Sequence, residues 1–98
     1  MVAPNEPARP RFQLGQIVAT PGALQALAVS QESPIKFLRR HVVGDWGEVD
    51  AEDGRANDHA IVVGLRILSA YKTERGQRLW IITESDRSVT TLLLPEEY

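Results

Sequence analysis

The chain has 98 residues, a formal net charge of -2 and no cysteine, and 24% of its residues are charged. This length predicts one domain, because a second would need roughly another hundred residues. The lack of cysteine excludes disulfides and thiol chemistry, and no apolar run approaches the roughly 18 residues of a membrane helix. A pI near 5.6 gives no overall positive field to attract nucleic acid.

The N-terminal residues predict a flexible tail, 1–12, followed by a single domain, 13–98. Pro4, Pro7 and Pro10 lie in this tail, and proline removes a backbone donor and favours extended chain. The opening MVAPNEPARP has no apolar core of the signal-peptide type, so we expect a cytoplasmic location.

A hydroxyl residue followed by proline marks the start of each of the first two predicted helices. Thr20-Pro21 and Ser33-Pro34 each place a capping hydroxyl before a proline at the first helical position. They predict helices over 21–29 and 34–43, after a short strand at 16–19. We expect these helices to bury Leu24 and Leu27 in the first, and Ile35, Leu38 and Val42 in the second.

The next segment is acidic and carries a third helix. The turn Gly44–Gly47 ends the second helix, and residues 44–58 hold six acidic residues and one arginine. Carboxylates in the first turn suit the helix dipole, which predicts a helix over 50–63 that stops at Gly64.

Three strands complete the predicted fold. Segments 66–74 and 77–84 flank the turn Arg75-Gly76, and a third strand, 89–94, follows the polar turn 85–88. The predicted class is therefore α+β, in the order β-α-α-α-β-β-β, with N-terminal helices packed on a small antiparallel sheet.

Two groups of residues are candidates for function. The first comprises His41, Asp45 and Trp46, and the second comprises Glu84, Asp86 and Arg87. His41 lies near a helix end, where it is either a general base oriented by Asp45 or a capping or packing residue. Trp46 is either a core anchor or part of a binding surface.

The polar turn allows two interpretations as well. Glu84, Asp86 and Arg87 either form a charged triplet at the rim of a groove or belong to a turn closed by its own hydrogen bonds. The acidic segment 44–58 lacks the spacing of an EF-hand loop, and no paired-histidine motif occurs. We therefore predict no metal site and no cofactor.

An ordered pattern along most of the chain resembles a family of small uncharacterised bacterial proteins, called plasmid-related, which are carried on plasmids and integrated mobile elements. The matching segments are Arg40-His41, Gly44-Asp45-Trp46-Gly47, Glu52-Asp53, Asn57, Ser69-Ala70-Tyr71, Thr73, Trp80–Glu84, Asp86-Arg87-Ser88, Thr90-Thr91 and Leu93–Tyr98. The chain departs from that pattern at Ile61-Val62-Val63, where such relatives have a more polar run. The resemblance implies an accessory role in a mobile element.

The leading hypothesis is a non-enzymatic protein-binding module that acts through the turns at 44–47 and 84–87. The alternative is a small ribonuclease toxin, because helices followed by strands and a C-terminal tyrosine resemble RelE-like toxins. Its candidate groups would be Arg39, Arg40, His41, Arg87 and Tyr98. We expect another protein as the partner, no nucleic acid and no membrane, with a homodimer left open.

Overall fold

Three helices and a four-stranded sheet follow one another in the predicted order β-α-α-α-β-β-β, so the α+β fold class is confirmed. The structure is a computed structural model, and it describes residues 9–98. Its elements are β1 Gln16–Ala19, α1 Pro21–Ser30, α2 Pro34–Val42, α3 Ala51–Val63, β2 Ile67–Lys72, β3 Arg78–Thr83, β4 Val89–Leu93 and a short 3-10 helix, Pro95–Glu97. None of the helices within residues 9–98 combines the length and apolarity needed to cross a bilayer.

Local capping explains where the helices begin. The side chains of Thr20, Ser33 and Asp50 each accept a hydrogen bond from a backbone N–H in the first turn of their helix. At its other end α3 stops at Gly64, whose φ of 78° places it in the left-handed region that glycine adopts without strain.

The sheet has the strand order β1-β4-β3-β2, and it is mixed. β2, β3 and β4 are antiparallel neighbours, as expected for successive strands. β1 adds to them in parallel with β4, so that Gln16 lies opposite Val89. The first strand therefore joins the sheet through the last one.

The helices α1 and α2 cover one face of the sheet. The core on this face comprises Ala23, Leu27, Phe37, Leu38, Tyr71, Leu79, Ile81 and Leu92. The expected burial of Leu24 and Ile35 is wrong, since about half of each side chain is exposed. Phe37 and His41, one turn apart on α2, point into the sheet instead, and this rotation carries Ile35 to the solvent side.

Ordered contacts begin before the predicted domain boundary at residue 13. The backbone N–H of Arg11 donates to the carbonyl of Val42 at 2.8 Å. Phe12 packs against a second buried cluster, formed by Trp46, Ala60 and Ile67. Arg11 and Phe12, at the end of the predicted tail, 1–12, thus contact the domain, and residues 1–8 lie outside the described part of the chain.

Candidate functional site

Phe12 contacts residues of both predicted groups of site residues. Its ring centroid lies 5.2 Å from that of His41 and 6.1 Å from that of Trp46. The guanidinium carbon of Arg87 lies 5.8 Å from the Phe12 centroid. Sequence reasoning missed this role of Phe12, because three prolines before it assign it to the predicted tail, 1–12.

His41 is fully buried and belongs to a chain of hydrogen bonds. The Thr90 hydroxyl donates to the Leu14 carbonyl at 2.7 Å, so the 2.7 Å contact between Thr90 and Thr83 uses the Thr83 proton. Nε2 of His41 must then donate to Thr83, at 2.9 Å, and Nδ1 accepts from the Ser69 hydroxyl, at 2.5 Å. This order of donors places a proton on Nε2, and in the neutral ring that burial favours by lowering the pKa to about 4, Nδ1 is the acceptor.

Burial lowers the pKa of His41 to about 4. The ring is oriented by Ser69 and Thr83, not by Asp45. None of its surface reaches solvent, so a substrate bound at the surface could not exchange a proton with it. His41 is a packing residue inside the fold.

The turn Gly44–Gly47 is fixed by an arginine and a tyrosine. Nε of Arg40 donates to Asp45 at 2.7 Å, and the guanidinium carbon lies 4.5 Å from the Tyr71 ring centroid. The Tyr71 hydroxyl donates to the Asp45 carbonyl at 2.6 Å. The hydrogen bond from Arg40 holds the pKa of the Asp45 carboxyl below its usual range.

Trp46 anchors this turn in the second buried cluster. Its indole N–H donates to Asp58 at 3.3 Å, and Nη1 of Arg11 donates to the same oxygen at 3.1 Å. Both partners are half-exposed at the surface. Trp46 thus presents its ring to the core and only one polar atom toward solvent.

Arg87 holds the end of α3 against the turn between β3 and β4. Its guanidinium donates to the carbonyls of Leu65 at 2.6 Å, Ala60 at 2.9 Å and Glu84 at 3.0 Å. The cation is thereby directed at backbone oxygens, where it complements the negative end of the helix. The charged triplet predicted at this turn therefore has no free guanidinium.

The two acids of the turn have different surroundings. Glu84 lies 3.4 Å from Nη2 of Arg66 in an exposed ion pair. Asp86 accepts from the hydroxyl and the N–H of Ser88, which hold the pKa of its carboxyl below the usual range. Among residues 9–98 no cation forms an ion pair with Asp86, so the turn presents an uncompensated negative charge.

Three exposed apolar residues lie at the end of α3, which Arg87 joins to this acidic turn. We name them the α3 patch: Val62, Val63 and Leu65, which are 82%, 51% and 52% exposed. Arg87 connects the patch to the turn through the Leu65 carbonyl. The sequence did carry a signal, because three consecutive apolar residues, 61–63, turn through about 100° each on a helix and cannot all face the core.

The groups considered for ribonuclease chemistry do not meet at one place. His41 and Arg87 point inward, Arg40 pairs with Asp45, and the Tyr98 hydroxyl accepts from Arg66 at 2.8 Å. A cavity of about 450 Å³ lies between α1 and the turn at 75–77, and of the residues from 9 to 98 that line it only Arg75 is ionisable. Within residues 9–98 no three histidine or carboxylate side chains lie close enough together to hold a metal ion.

No protein-family model, curated protein or solved structure matches the chain closely enough to indicate a relationship. The resemblance to plasmid-related proteins accordingly stays a prediction.

Proposed function

We propose that the chain is a cytoplasmic, non-enzymatic accessory module of a bacterial mobile element, and that it binds another protein through the α3 patch and the acidic turn. The observation that carries this proposal is the exposure of Val62, Val63 and Leu65 at the end of α3 that Arg87 joins to the acidic turn. Exposed apolar groups surrounded by polar residues are typical of protein-binding surfaces.

The charges beside the patch indicate the chemistry of the partner. Asp86 is ionised, exposed and without a cation partner among the described residues, and Glu84 is only partly neutralised by Arg66. A complementary protein would offer apolar side chains to the α3 patch and a lysine or arginine to Asp86. Nucleic acid would meet this negative turn unfavourably.

Rigid support favours binding at this place. Arg87 ties three carbonyls of the α3 end and the turn together, so the patch is held before any partner arrives. A prepared surface avoids the entropy cost of ordering a loop on binding.

The test is an affinity pull-down of the full chain from its bacterial host, after nuclease treatment, with mass spectrometry of what is retained. Val62→Asp should abolish capture of the partner, because a carboxylate would have to be buried in the apolar contact. Val29→Asp is the matched control, since Val29 is an exposed valine on α1.

The recovered partner should then be titrated against purified variants. Asp86→Asn should weaken its binding about 5- to 10-fold, as expected when one charge pair at the rim is lost. Capture that survives Val62→Asp, or that disappears with nuclease treatment, would contradict the proposal.

A further inference from the structure

The two edges of the sheet differ in how their backbone groups are satisfied. At the β2 edge, the Asn57 side chain donates to the Leu68 carbonyl at 2.8 Å and accepts from its N–H at 3.2 Å. The next outward residue, Ala70, pairs with the backbone of Trp46 and Glu48. This edge is therefore closed at Leu68 and Ala70, and the charged residue Lys72 ends it.

The β1 edge is open. The N–H groups of Gln16 and Thr20 point inward to β4, where they donate to Ser88 and Leu92. Alternation along a strand then directs the peptide groups of Ile17 and Ala19 outward. None of the residues 9–98 forms a β-pair with that side of the strand.

Apart from its short length of four residues, β1 carries none of the features that normally prevent edge pairing. Its sequence QIVA contains no charge and no proline, whereas natural edges are commonly protected by lysine, proline or a covering segment. Ile17 is 49% exposed and Val18 is 38% exposed. They lie on opposite faces of the strand, so both faces offer apolar contact.

The uncharged region extends well beyond the strand. Residues 12–31 contain no charged side chain, although 24% of the whole chain is charged. Leu24, exposed on the first turns of α1, adds apolar surface close to the end of β1. A second molecule with the same net charge of -2 can approach this region without local repulsion.

We propose that the chain forms a homodimer in which the β1 strands of two copies pair antiparallel about a twofold axis at Val18. Ile17 of each copy then lies opposite Ala19 of the other, and their outward N–H and C=O groups satisfy one another. The two Val18 side chains meet on one face, and the two four-stranded sheets become one continuous sheet.

A second copy fits this edge better than a different partner does. A twofold interface requires a surface that complements itself. An uncharged strand with both apolar faces exposed meets that requirement and offers no charge that would select another protein. This inference does not rest on the proposed function, because it concerns a different surface.

Cysteine cross-linking tests the geometry directly, since the natural chain has no cysteine. At a non-hydrogen-bonded antiparallel pair the Cα atoms lie about 4.5 Å apart, within the range of about 4.4–6.8 Å that a disulfide spans. The Val18→Cys variant of the full chain should form a disulfide-linked dimer under mild oxidation. Val62→Cys, which is more exposed, is the control and should remain predominantly monomeric on a denaturing gel.

Sedimentation analysis tests the free dimer. The wild-type chain should show twice its mass of 10.9 kDa at high concentration. Val18→Asp should raise the dimer dissociation constant at least about tenfold, because like charges would face each other across the pair. Circular dichroism checks that the half-exposed substitution leaves the fold intact.

The outcomes separate the two surfaces. Val62→Asp should leave the dimer intact while it abolishes partner capture, and Val18→Asp should do the reverse. A wild-type monomer at high concentration, or a dimer that Val62→Asp dissociates and Val18→Asp does not, would overturn the inference. So would equal cross-linking of the two cysteine variants.

Discussion

The hydrogen bonds around His41 determine which nitrogen of this buried ring carries the proton. The carbonyl of Leu14 can only accept, so each hydroxyl along the chain through Thr90 and Thr83 has one available direction, and the imidazole must donate from Nε2. The neutral ring joins α2 to β2 through Ser69 and to β3 through Thr83, which in turn contacts Thr90 of β4. A satisfied polar network of this kind favours one arrangement of helix on sheet.

The first prediction concerns pH. His41 has a folded-state pKa of about 4 against 6.5 for the free group, so between these values the unfolded chain binds the proton more tightly. Stability from this residue is therefore fully present above pH 6.5 and is lost as the pH falls toward 4. Wild type should lose about 2 kcal/mol of unfolding free energy between pH 7 and pH 5 through this linkage. Urea titrations at both pH values measure it.

The variant His41→Gln provides the comparison for that measurement. It cannot titrate, so its stability should change with pH by about 2 kcal/mol less than that of the wild type. If the unfolding free energy changed equally with pH in the two proteins, His41 would not be the source of the pH dependence. His59, the other histidine, is exposed and stays in place in both.

At the scale of the elements, the starts of the helices could be predicted because capping is local. Thr20, Ser33 and Asp50 act within their own first turns, so the sequence around each suffices. Strand pairing is not local. The register sets Trp80 opposite Ala70 and Tyr71 opposite Leu79, and a shift of one residue would place each side chain on the other face.

The candidate site was predictable only in part, for a similar reason. The sequence singled out the acidic turn, but the carbonyls that Arg87 contacts come from α3 and from the loop after it. The exposure of Leu65 and the closure of the β2 edge by Asn57 also depend on tertiary packing. No local sequence pattern predicts that the turn between β3 and β4 contacts the C-terminal end of α3.

The second prediction concerns Asn57 as a cap on the β2 edge. Asn57→Ala should lower the unfolding free energy by about 2 kcal/mol, because the Leu68 N–H and carbonyl lose both partners. Hydrogen exchange at the Leu68 amide should accelerate. His59→Ala, an exposed change on the same helix, should alter stability by less than about 0.5 kcal/mol. Unchanged exchange at Leu68 in Asn57→Ala would contradict the assigned role.

The third prediction concerns Arg87. A lysine ammonium cannot span the three carbonyls that the guanidinium reaches, so Arg87→Lys should cost about 1–3 kcal/mol although the charge is kept. Thermal unfolding measures the loss. Arg75→Lys on an exposed turn is the control, and a similar melting temperature for both variants would argue against a structural role for Arg87.

At the scale of the whole molecule, a net charge of -2 conceals an uneven distribution. Residues 12–31 have no charge, while the segment 44–58 and the acidic turn carry most of the negative charge on other parts of the surface. One region is suited to contact with an identical copy, and the other to a partner of opposite charge.

The fourth prediction follows from this separation. Dimer formation through β1 should change little when NaCl is raised to 1 M, where the screening length is about 3 Å. Binding of the proposed partner should weaken over the same range, because Asp86 supplies a charge pair. Sedimentation and partner titration across salt concentrations measure the two effects. A dimer that dissociates with salt would indicate an interface held by charge.

The parallel pairing of β1 with β4 also sets the order in which the fold can be completed. Thr90 and the Leu14 carbonyl are separated by 76 positions in sequence, and such distant pairings slow folding. During synthesis on the ribosome, the uncharged region 12–31 emerges long before the strand that shelters its inner side. For that interval the nascent chain exposes its longest uncharged stretch, and a chaperone that recognises apolar segments would meet it there first.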